Sequence, residues 1–304
     1  MNYAPIALFV YNRPQHTLET VQALLKNPEC AQSDLYIFSD AAKNLDAQNA
    51  VSEVRAYVRQ ISGFQTITII EREENWGLAN SIIDGVTQLC RQYGKVIVLE
   101  DDLETSPYFL KYMNDGLSVY EFQTQVSSVS GYMYPIDLAE KNKTFLSKMP
   151  QSWGWATWSR AWGDFNVDGS ALLTKLSQSK SLGSFNKNGP HNYVKMLQNQ
   201  IKGKNNSWYI RWYASLFLKQ KLTLMPCVSL VRNIGIDGSG THCAEWRYNP
   251  FSGAISNQPV TVSLEHVVVD QEVEKKLATY YRKVKLLRYI NFVYRLTNGW
   301  RKYV

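Results

Sequence analysis

Three adjacent carboxylates, Glu100-Asp101-Asp102, follow the apolar run Val96 to Leu99. Acids placed this way repel one another and are costly to strip of water. A hard divalent cation, Mg²⁺ or Mn²⁺, removes that cost, because it takes oxygen ligands and bridges to phosphates. The competing reading is a solvated acidic turn or a helix cap ahead of Pro107. Were the strand to continue, its two-residue period would put Glu100 and Asp102 on one side and Asp101 on the other. Other polar groups follow apolar runs in the same manner: Asn12-Arg13, Asp40, and the stretch from Glu71 to Asn80. Farther on, the glycine-rich Gly235 to Gly240 carries Asp237 and ends at His242. A neutral imidazole there would complete a metal shell or touch a diphosphate, or else be structural.

These groups need a scaffold, and the first ~130 residues alternate as βαβ units do. Strands are expected at Ile6 to Tyr11, Leu35 to Ser39, Thr66 to Ile70, Val96 to Leu99 and Val126 to Ser130. Between them lie helical stripes: Leu18, Val21, Leu24 and Leu25 after Pro14; Val51, Val54, Val58 and Ile61; Ile82, Ile83, Val86 and Leu89; Phe109, Leu110, Met113 and Leu117. The expectation is an α/β fold, Rossmann-like, with a mostly parallel sheet and helices on both faces. Ligands of such sheets bind outside the carboxyl ends of the strands, where the polar groups above would sit. From about Tyr132 tryptophans cluster and Gly and Asn become frequent. Lys175 to Pro190 reads as a polar mobile connection, Trp208 to Leu218 as a helix, and Leu222 to Val231 as a strand. If helical, Trp155, Trp158 and Trp162 share one face. Most of the tryptophans read as core, with one or two lining a cleft.

The stretch Val96-Ile-Val-Leu-Glu-Asp-Asp-Leu-Glu-Thr-Ser-Pro-Tyr-Phe109 resembles the metal-binding segment of the N-acetylglucosaminyltransferases that begin N-glycan branching. Leu8-Phe-Val-Tyr-Asn-Arg-Pro14 resembles their first strand and turn, and Asn75-Trp-Gly-Leu-Ala-Asn80 is similar to an element of family 2 glycosyltransferases. Trp153 to Trp158 and Asn233 to His242 resemble stretches of uncharacterised bacterial sugar transferases. The resemblance implies the GT-A fold and a metal-dependent transfer from a nucleotide-diphosphate sugar, UDP-linked, to a glycan or lipid-linked glycan in bacterial surface polysaccharide synthesis. Residues 1–130 would bind the donor, 131–270 would form the acceptor side, and 271–304 a basic amphipathic helix. Residue by residue, Arg13 would meet the diphosphate and Asp40 the uracil ring. Asp102 would hold the metal, Glu100 and Asp101 would contact ribose, sugar or metal-bound water, and Asn75 and Asn80 would line the donor site. Each has a plain alternative: a surface helix start for Arg13, and caps or turns for Asp40, Asn75 and Asn80. In the resembling enzymes a carboxylate in a Trp-flanked stretch is the general base. Here that stretch, Trp208-Tyr-Ile-Arg-Trp212, has none. An inverting transfer needs such a base, and the candidates are Asp237, which is favoured, Asp164 and Glu245. A retaining mechanism without a base stays open.

Charge narrows the function classes further. Across 304 residues the excess is 33 − 26 = +7. Residues 280–304 hold Arg282, Lys283, Lys285, Arg288, Arg295, Arg301 and Lys302 with no acid, so the rest of the chain is neutral. That argues against nucleic-acid binding and for a local anchor. On a helical wheel Leu286, Leu287, Ile290, Val293 and Tyr294 share one side and Arg282, Lys285, Arg288 and Arg295 the other. Such a helix lies on an anionic membrane, unless it packs on the body. No run is long enough to span a bilayer and no export signal is evident. The expected location is the cytosol, with peripheral contact on the inner face of the membrane. Cys30, Cys90, Cys227 and Cys243 show neither zinc nor redox spacing and are expected as reduced thiols. Two further classes compete. A nucleotidyltransferase would carry a glycine-rich basic loop where Tyr11-Asn-Arg-Pro14 stands, and a non-catalytic carbohydrate-binding module would not need the acidic triplet.

Overall fold

The computed structural model describes residues 3–187, 190–237, 249–264 and 266–301. The chain opens with β1 (Ile6–Val10), α1 (Pro14–Leu24), β2 (Asp34–Ser39), α2 (Gln48–Val58), β3 (Thr66–Glu71), α3 (Gly77–Tyr93) and β4 (Lys95–Glu100). The βαβ alternation read from the sequence is thus present. β1 is buried at all five positions, as a central strand of a parallel sheet must be. Pro14 opens α1, where its missing N–H costs nothing. Gly94, at φ 76°, closes α3 in the left-handed conformation and turns the chain straight into β4.

The chain continues through β5 (Leu103–Thr105), α4 (Phe109–Val119), β6 (Val126–Ser130), β7 (Thr144–Ser147), β8 (Trp155–Trp158), α5 (Ser159–Trp162), α6 (Gly169–Gln178), α7 (Leu182–Lys187), α8 (Tyr193–Ile201), α9 (Trp208–Leu218), β9 (Leu222–Pro226), β10 (Val231–Asn233) and α10 (Gln271–Arg301). The main sheet has eight strands in the order β3-β2-β1-β4-β8-β6-β9-β7. Only β8 and β7 run against the rest. This is a mixed α/β fold with a mostly parallel sheet. Strands from both halves interleave, since β8 lies between β4 and β6. One face packs α1, α2 and α4 through Val21, Leu24, Val54, Val58, Phe109 and Leu117. The other packs α3 and part of α9 through Ile82, Val86, Leu89, Trp208, Trp212 and Leu216. Each such side chain contributes about 1.5–3 kcal/mol by leaving water.

Several expectations change here. Lys175 to Pro190 is no plain connection: α6 runs to Gln178 and α7 follows, because Phe185 has a fully buried place stacked on Tyr213 at 4.6 Å. The strand expected from Leu222 to Val231 is two strands in different sheets, β10 pairing with β5. Trp155 and Trp158 lie on a strand rather than a helix. An odd spacing on a strand sends them to opposite faces, Trp158 to the first cluster and Trp155 to the second. Trp155 stacks on Trp208 at 5.1 Å and Trp162 lies 5.1 Å from Trp212, so these are core.

The basic tail is also more embedded than a free membrane helix. Asp270 caps α10 by accepting from Glu272 and Val273 N–H. Val273, Leu277, Tyr280, Tyr281, Val284 and Asn291 are buried against the body. Leu286, Tyr289, Ile290, Val293 and Tyr294 stay exposed beside exposed Arg282, Lys283 and Lys285. Among the described residues no helix is long and apolar enough to cross a membrane. Cys30, Cys90 and Cys227 are buried free thiols, in line with the expectation, while Cys243 lies outside the described residues.

Candidate functional site

The chain moves from β1 outward to β2 and β3, then returns across α3 to β4 on the other side of β1. The crevice between the carboxyl ends of β1 and β4 is therefore the topological switch point, where such sheets bind ligands. Phe9 of β1 is level with Glu100 of β4. The residues just beyond these strands, Tyr11 to Arg13 and Glu100 to Asp102, must then face each other.

They meet as an ionic cluster. Arg13 Nη2 lies 2.5 Å from Asp101 Oδ1 and 3.0 Å from Asp102 Oδ2, and Tyr11 N–H donates to Asp101 at 3.3 Å. β4 stops at Glu100, so the strand period ends there. A turn places Asp101 and Asp102 on the same guanidinium rather than on opposite sides. Burial pushes Glu100 well above the usual carboxylate range, with Asp102 and Asp101 adding to it. Burial also raises Asp101 to about 6, against the pull of Arg13. Burial opposes the charge on Arg13, yet its two carboxylates outweigh that and raise its pKa. Arg13, expected at a diphosphate, is held by the acids in this state.

The fit to a divalent cation rests on Asp102. Its Oδ1 is buried with no hydrogen-bond partner, a costly state for a carboxylate oxygen. Ile234 N–H donates to Asp102 O at 2.8 Å, which lays the chain after β10 across the cluster. At Gly235 any Cβ would come within 2.4 Å of Asp102 Oδ2 and 2.7 Å of Arg13 Nη1. Among the described residues no group of three or more His, Cys, Asp or Glu side chains is gathered to hold an ion alone. A hard cation bound through one or two carboxylates draws its other ligands from phosphates and water. The donor set here fits that mode.

Asp237, two residues past Gly235, comes to this same mouth. Its Oδ2 lies 3.2 Å from His16 Nε2 in the first turn of α1. His16 is the residue sequence reasoning missed. It stands three positions after Arg13, the spacing that shares a helix face, and that was the available signal. His242 and Glu245 lie outside the described residues.

Asp40 borders the crevice at the end of β2. It accepts from Trp76 and Gly77 N–H, both at 2.8 Å, from Ala41 N–H at 3.0 Å and from Asn75 Nδ2 at 3.1 Å. Those four donors fill the acceptor capacity of a carboxylate. A direct bond to a nucleotide base would have to compete with them. Asn75 also donates to Ala41 O at 2.7 Å, so Asp40 and Asn75 together clamp the entry to α3. Arg72 lies over the Trp76 ring at 3.8 Å and firms the same wall. Asn80 is turned to its own helix, donating to Trp76 O at 2.9 Å.

Asp164 is a correction. Trp158, the last residue of β8, pairs with Lys95, the first of β4. Asp164 follows α5 and so lies beyond the amino ends of the parallel strands. It is tied to Lys219 at 2.5 Å and Lys221 at 3.5 Å. The six residues of β4, about 20 Å of strand, separate it from Asp102. It cannot take a proton at the crevice.

Trp153 precedes β8 and stands at the carboxyl edge. It meets Tyr132 edge-on at 4.6 Å and Phe251 at 6.0 Å, and it is half-buried.

No family model and no curated protein matches the chain. Solved structures with some likeness include mannosyltransferase PcManGT from Pyrobaculum calidifontis in complex with GDP-Man and Mn²⁺: 11% identity, 70% of this chain and 74% of that one, TM-score 0.38. Another is a UDP-glucose pyrophosphorylase complexed with UDP-glucose: 14% identity, 73% and 90%, TM-score 0.36. A third is a nucleotide-diphospho-sugar transferase from Desulfovibrio desulfuricans G20: 12% identity, 59% and 78%, TM-score 0.35. Likeness at this level carries no inference about chemistry.

Proposed function

We propose that the chain is a GT-A-type glycosyltransferase. It moves a hexose or N-acetylhexosamine from a UDP-linked donor to a glycan or lipid-linked glycan of bacterial surface polysaccharide, with inversion. The observation that carries this reading is the cluster of Arg13, Glu100, Asp101 and Asp102 at the switch point, with the Asp102 Oδ1 oxygen buried and unpartnered. An anionic donor that brings a cation satisfies all of these groups together.

Asp102, with Asp101, would hold a divalent cation whose chemistry is to offset the charge that builds on the departing diphosphate. Arg13, released from its carboxylates, pairs with a phosphate through its planar fork. Asp40 and Asn75 hold the α3 entry as the wall for the nucleotide base. Asp237 takes the proton from the acceptor hydroxyl as that oxygen bonds to the anomeric carbon and the bond from that carbon to the diphosphate breaks. His16 holds the Asp237 carboxylate toward the mouth. The exposed apolar and cationic side of α10 rests on the anionic inner face of the membrane.

A thermal-shift screen of nucleotides with Mn²⁺ tests the reading. UDP with Mn²⁺ is expected to stabilise the protein, by about 2.7 kcal/mol at a hundredfold excess over Kd. A response confined to nucleoside triphosphates would assign the chain to nucleotidyl transfer. No response to any nucleotide would leave a carbohydrate-binding module.

A further inference from the structure

The neutral sum of residues 1–279 conceals a separation of charge. Residues 1–168 hold 20 acids against 13 bases, while residues 169–236 hold ten Lys and Arg and no Asp or Glu. That second stretch folds as α6, α7, α8 and α9 before it returns to the sheets as β9 and β10. Lys219 and Lys221 pair with Asp164, and Arg232 pairs with Glu104. Five other lysines are exposed: Lys175 on α6, Lys180 just after it, Lys195 on α8, and Lys202 and Lys204 in the turn that follows. None of the five makes an ion pair among the described residues. Asp168, the last acid before the stretch, accepts Ser170 and Ala171 N–H at the start of α6. α6 and α8 pack closely, since a Cβ on Gly169 would meet Gln200, Ile201 and Leu197. Like charges gathered on one lobe repel one another, and a bound polyanion removes that cost.

The lobe lies on the approach to the crevice. β9 runs parallel to β6, and so with most of the sheet. The helix leading into it, α9, therefore starts at the carboxyl edge and ends at the amino edge. Trp208, the first residue of α9, stacks on Trp155, which pairs with Val98 in the carboxyl half of β4. The turn holding Lys202 and Lys204 feeds that end of α9. α8 and α9 are both tied to the residues that lead into β8 from the same edge. Tyr193 OH donates to Met149 Sδ at 3.7 Å, and Tyr209 OH donates to Pro150 O at 2.9 Å.

The side chains around these lysines select among polyanions. Exposed Ser170, Thr174, Gln178 and Gln198 are interspersed with them. Among the described residues from 169 to 206, Ile201 is the one exposed large apolar side chain, and no aromatic ring is exposed. A lipid surface is held by burying an apolar face, and single-stranded nucleic acid by stacking its bases on aromatic rings. This lobe offers neither. Spaced lysines among hydroxyls and amides suit a hydrated chain that carries negative charge at intervals.

We infer that the lobe of α6 to α8 binds an acidic glycan, one with carboxylates along its chain, and that the acceptor of the transfer is of this class. The acceptor role rests on the sugar-transferase reading; the acidic-glycan surface does not.

The test titrates the full chain with oligogalacturonate by calorimetry at low salt, with neutral dextran alongside. The variants are Lys202→Glu/Lys204→Glu, the milder Lys202→Gln/Lys204→Gln and, on the tail, Arg282→Glu/Lys283→Glu. All four side chains are exposed, and the Gln pair decides if the Glu pair does not fold. The expected result is saturable binding of oligogalacturonate and none of dextran. Affinity should fall ~10-fold or more in the Lys202→Glu/Lys204→Glu variant, a change of about 1.4 kcal/mol. It should fall in the same direction in the Gln pair and stay at the wild-type value in the tail variant. No wild-type binding, equal affinity in wild type and both lobe variants, or an equal loss in the tail variant overturns the proposal. So does dextran bound as tightly as oligogalacturonate. Duplex DNA or phosphatidylglycerol vesicles bound more tightly than oligogalacturonate, and released by the lobe variants, would assign the lobe to nucleic acid or to a membrane instead. The shift with UDP and Mn²⁺ is read on the same wild-type samples. Its absence alone overturns the donor reading and leaves the acidic-glycan surface standing.

Discussion

Arg13 and Asp101 are 88 residues apart in the chain and 2.5 Å apart in space, because β1 and β4 are sheet neighbours. The pair leaves Asp102 with one oxygen on the guanidinium and one with no partner. In Asp102→Ala the Arg13–Asp101 pair survives, so the fold is expected to hold. UDP binding in the presence of Mn²⁺ should fall below detection by calorimetry. Binding as tight as wild type would remove Asp102 from the metal site.

Gly235 tests the same cluster from the other side. A methyl group there overlaps Asp102 and Arg13, both fixed by their mutual pair. Relief requires the chain after β10 to lift. Gly235→Ala is expected to cost about 1–3 kcal/mol of stability, as overpacking does. It should also weaken Mn²⁺-dependent UDP binding. Unchanged affinity would mean that the cluster does not depend on that close approach.

The first half of the chain was legible because its rules are local. Continuous apolar runs, Pro14 and the helical stripes specify βαβ units, and polar residues after strands then fall at one edge. The acidic triplet was visible for that reason. Whether the triplet turns or continues the strand stayed open, because the Arg13 that meets both acids arrives from β1. Asp164 misled because nothing local reveals that β8 runs backwards and so delivers α5 and Asp164 to the opposite edge. His16 stayed without a partner until β10 returned the chain over α1. The tail's wheel gave an amphipathic helix but could not say which apolar residues the body covers.

The two edges of the sheet separate the base candidates. Asp237→Asn is expected to lower turnover by ~100-fold or more, the low end for a lost general base, with donor binding kept. Asp164→Asn should leave turnover near wild type, since its partners are Lys219 and Lys221. Steady-state rates of the two variants decide. A loss in Asp164→Asn comparable to that in Asp237→Asn would contradict the placement.

His191 gives the fold a pH signature. Burial, together with Arg288 and Lys285, lowers its pKa to about 3. Tyr193 and Phe251 also face the ring. A histidine with a depressed folded pKa stays neutral in the fold while the unfolded chain takes up a proton. Its contribution is intact above pH ~6.5 and is lost as pH falls from there toward 3. The slope approaches about 1.4 kcal/mol per pH unit. Urea midpoints from pH 7 to 4.5 should therefore fall more steeply for wild type than for His191→Gln. Parallel curves would show that the ring titrates freely.

The tail prediction turns on which of its residues the body has claimed. Removing everything after Thr279 would take Tyr280, Tyr281 and Val284 out of the core. Large-to-small changes at such sites cost about 2–5 kcal/mol each. Three such losses are on the order of the whole stability of a domain. That cut is expected to give insoluble protein and to say nothing about membranes. Arg282 and Lys283 are exposed, so the double variant Arg282→Glu/Lys283→Glu keeps the core while taking the tail from +7 to +3. Each basic residue near an anionic surface contributes about 1 kcal/mol. Losing two and adding two repelled charges should weaken sedimentation with anionic vesicles by ~10-fold or more. Hydrolysis of the UDP-sugar donor should be unchanged, because neither residue borders the crevice. High salt should weaken wild-type binding in the same direction, as the Debye length shrinks to ~3 Å at 1 M. Equal sedimentation of variant and wild type would leave the exposed Leu286, Tyr289 and Ile290 without a charged guide to the bilayer, and the membrane contact would fall.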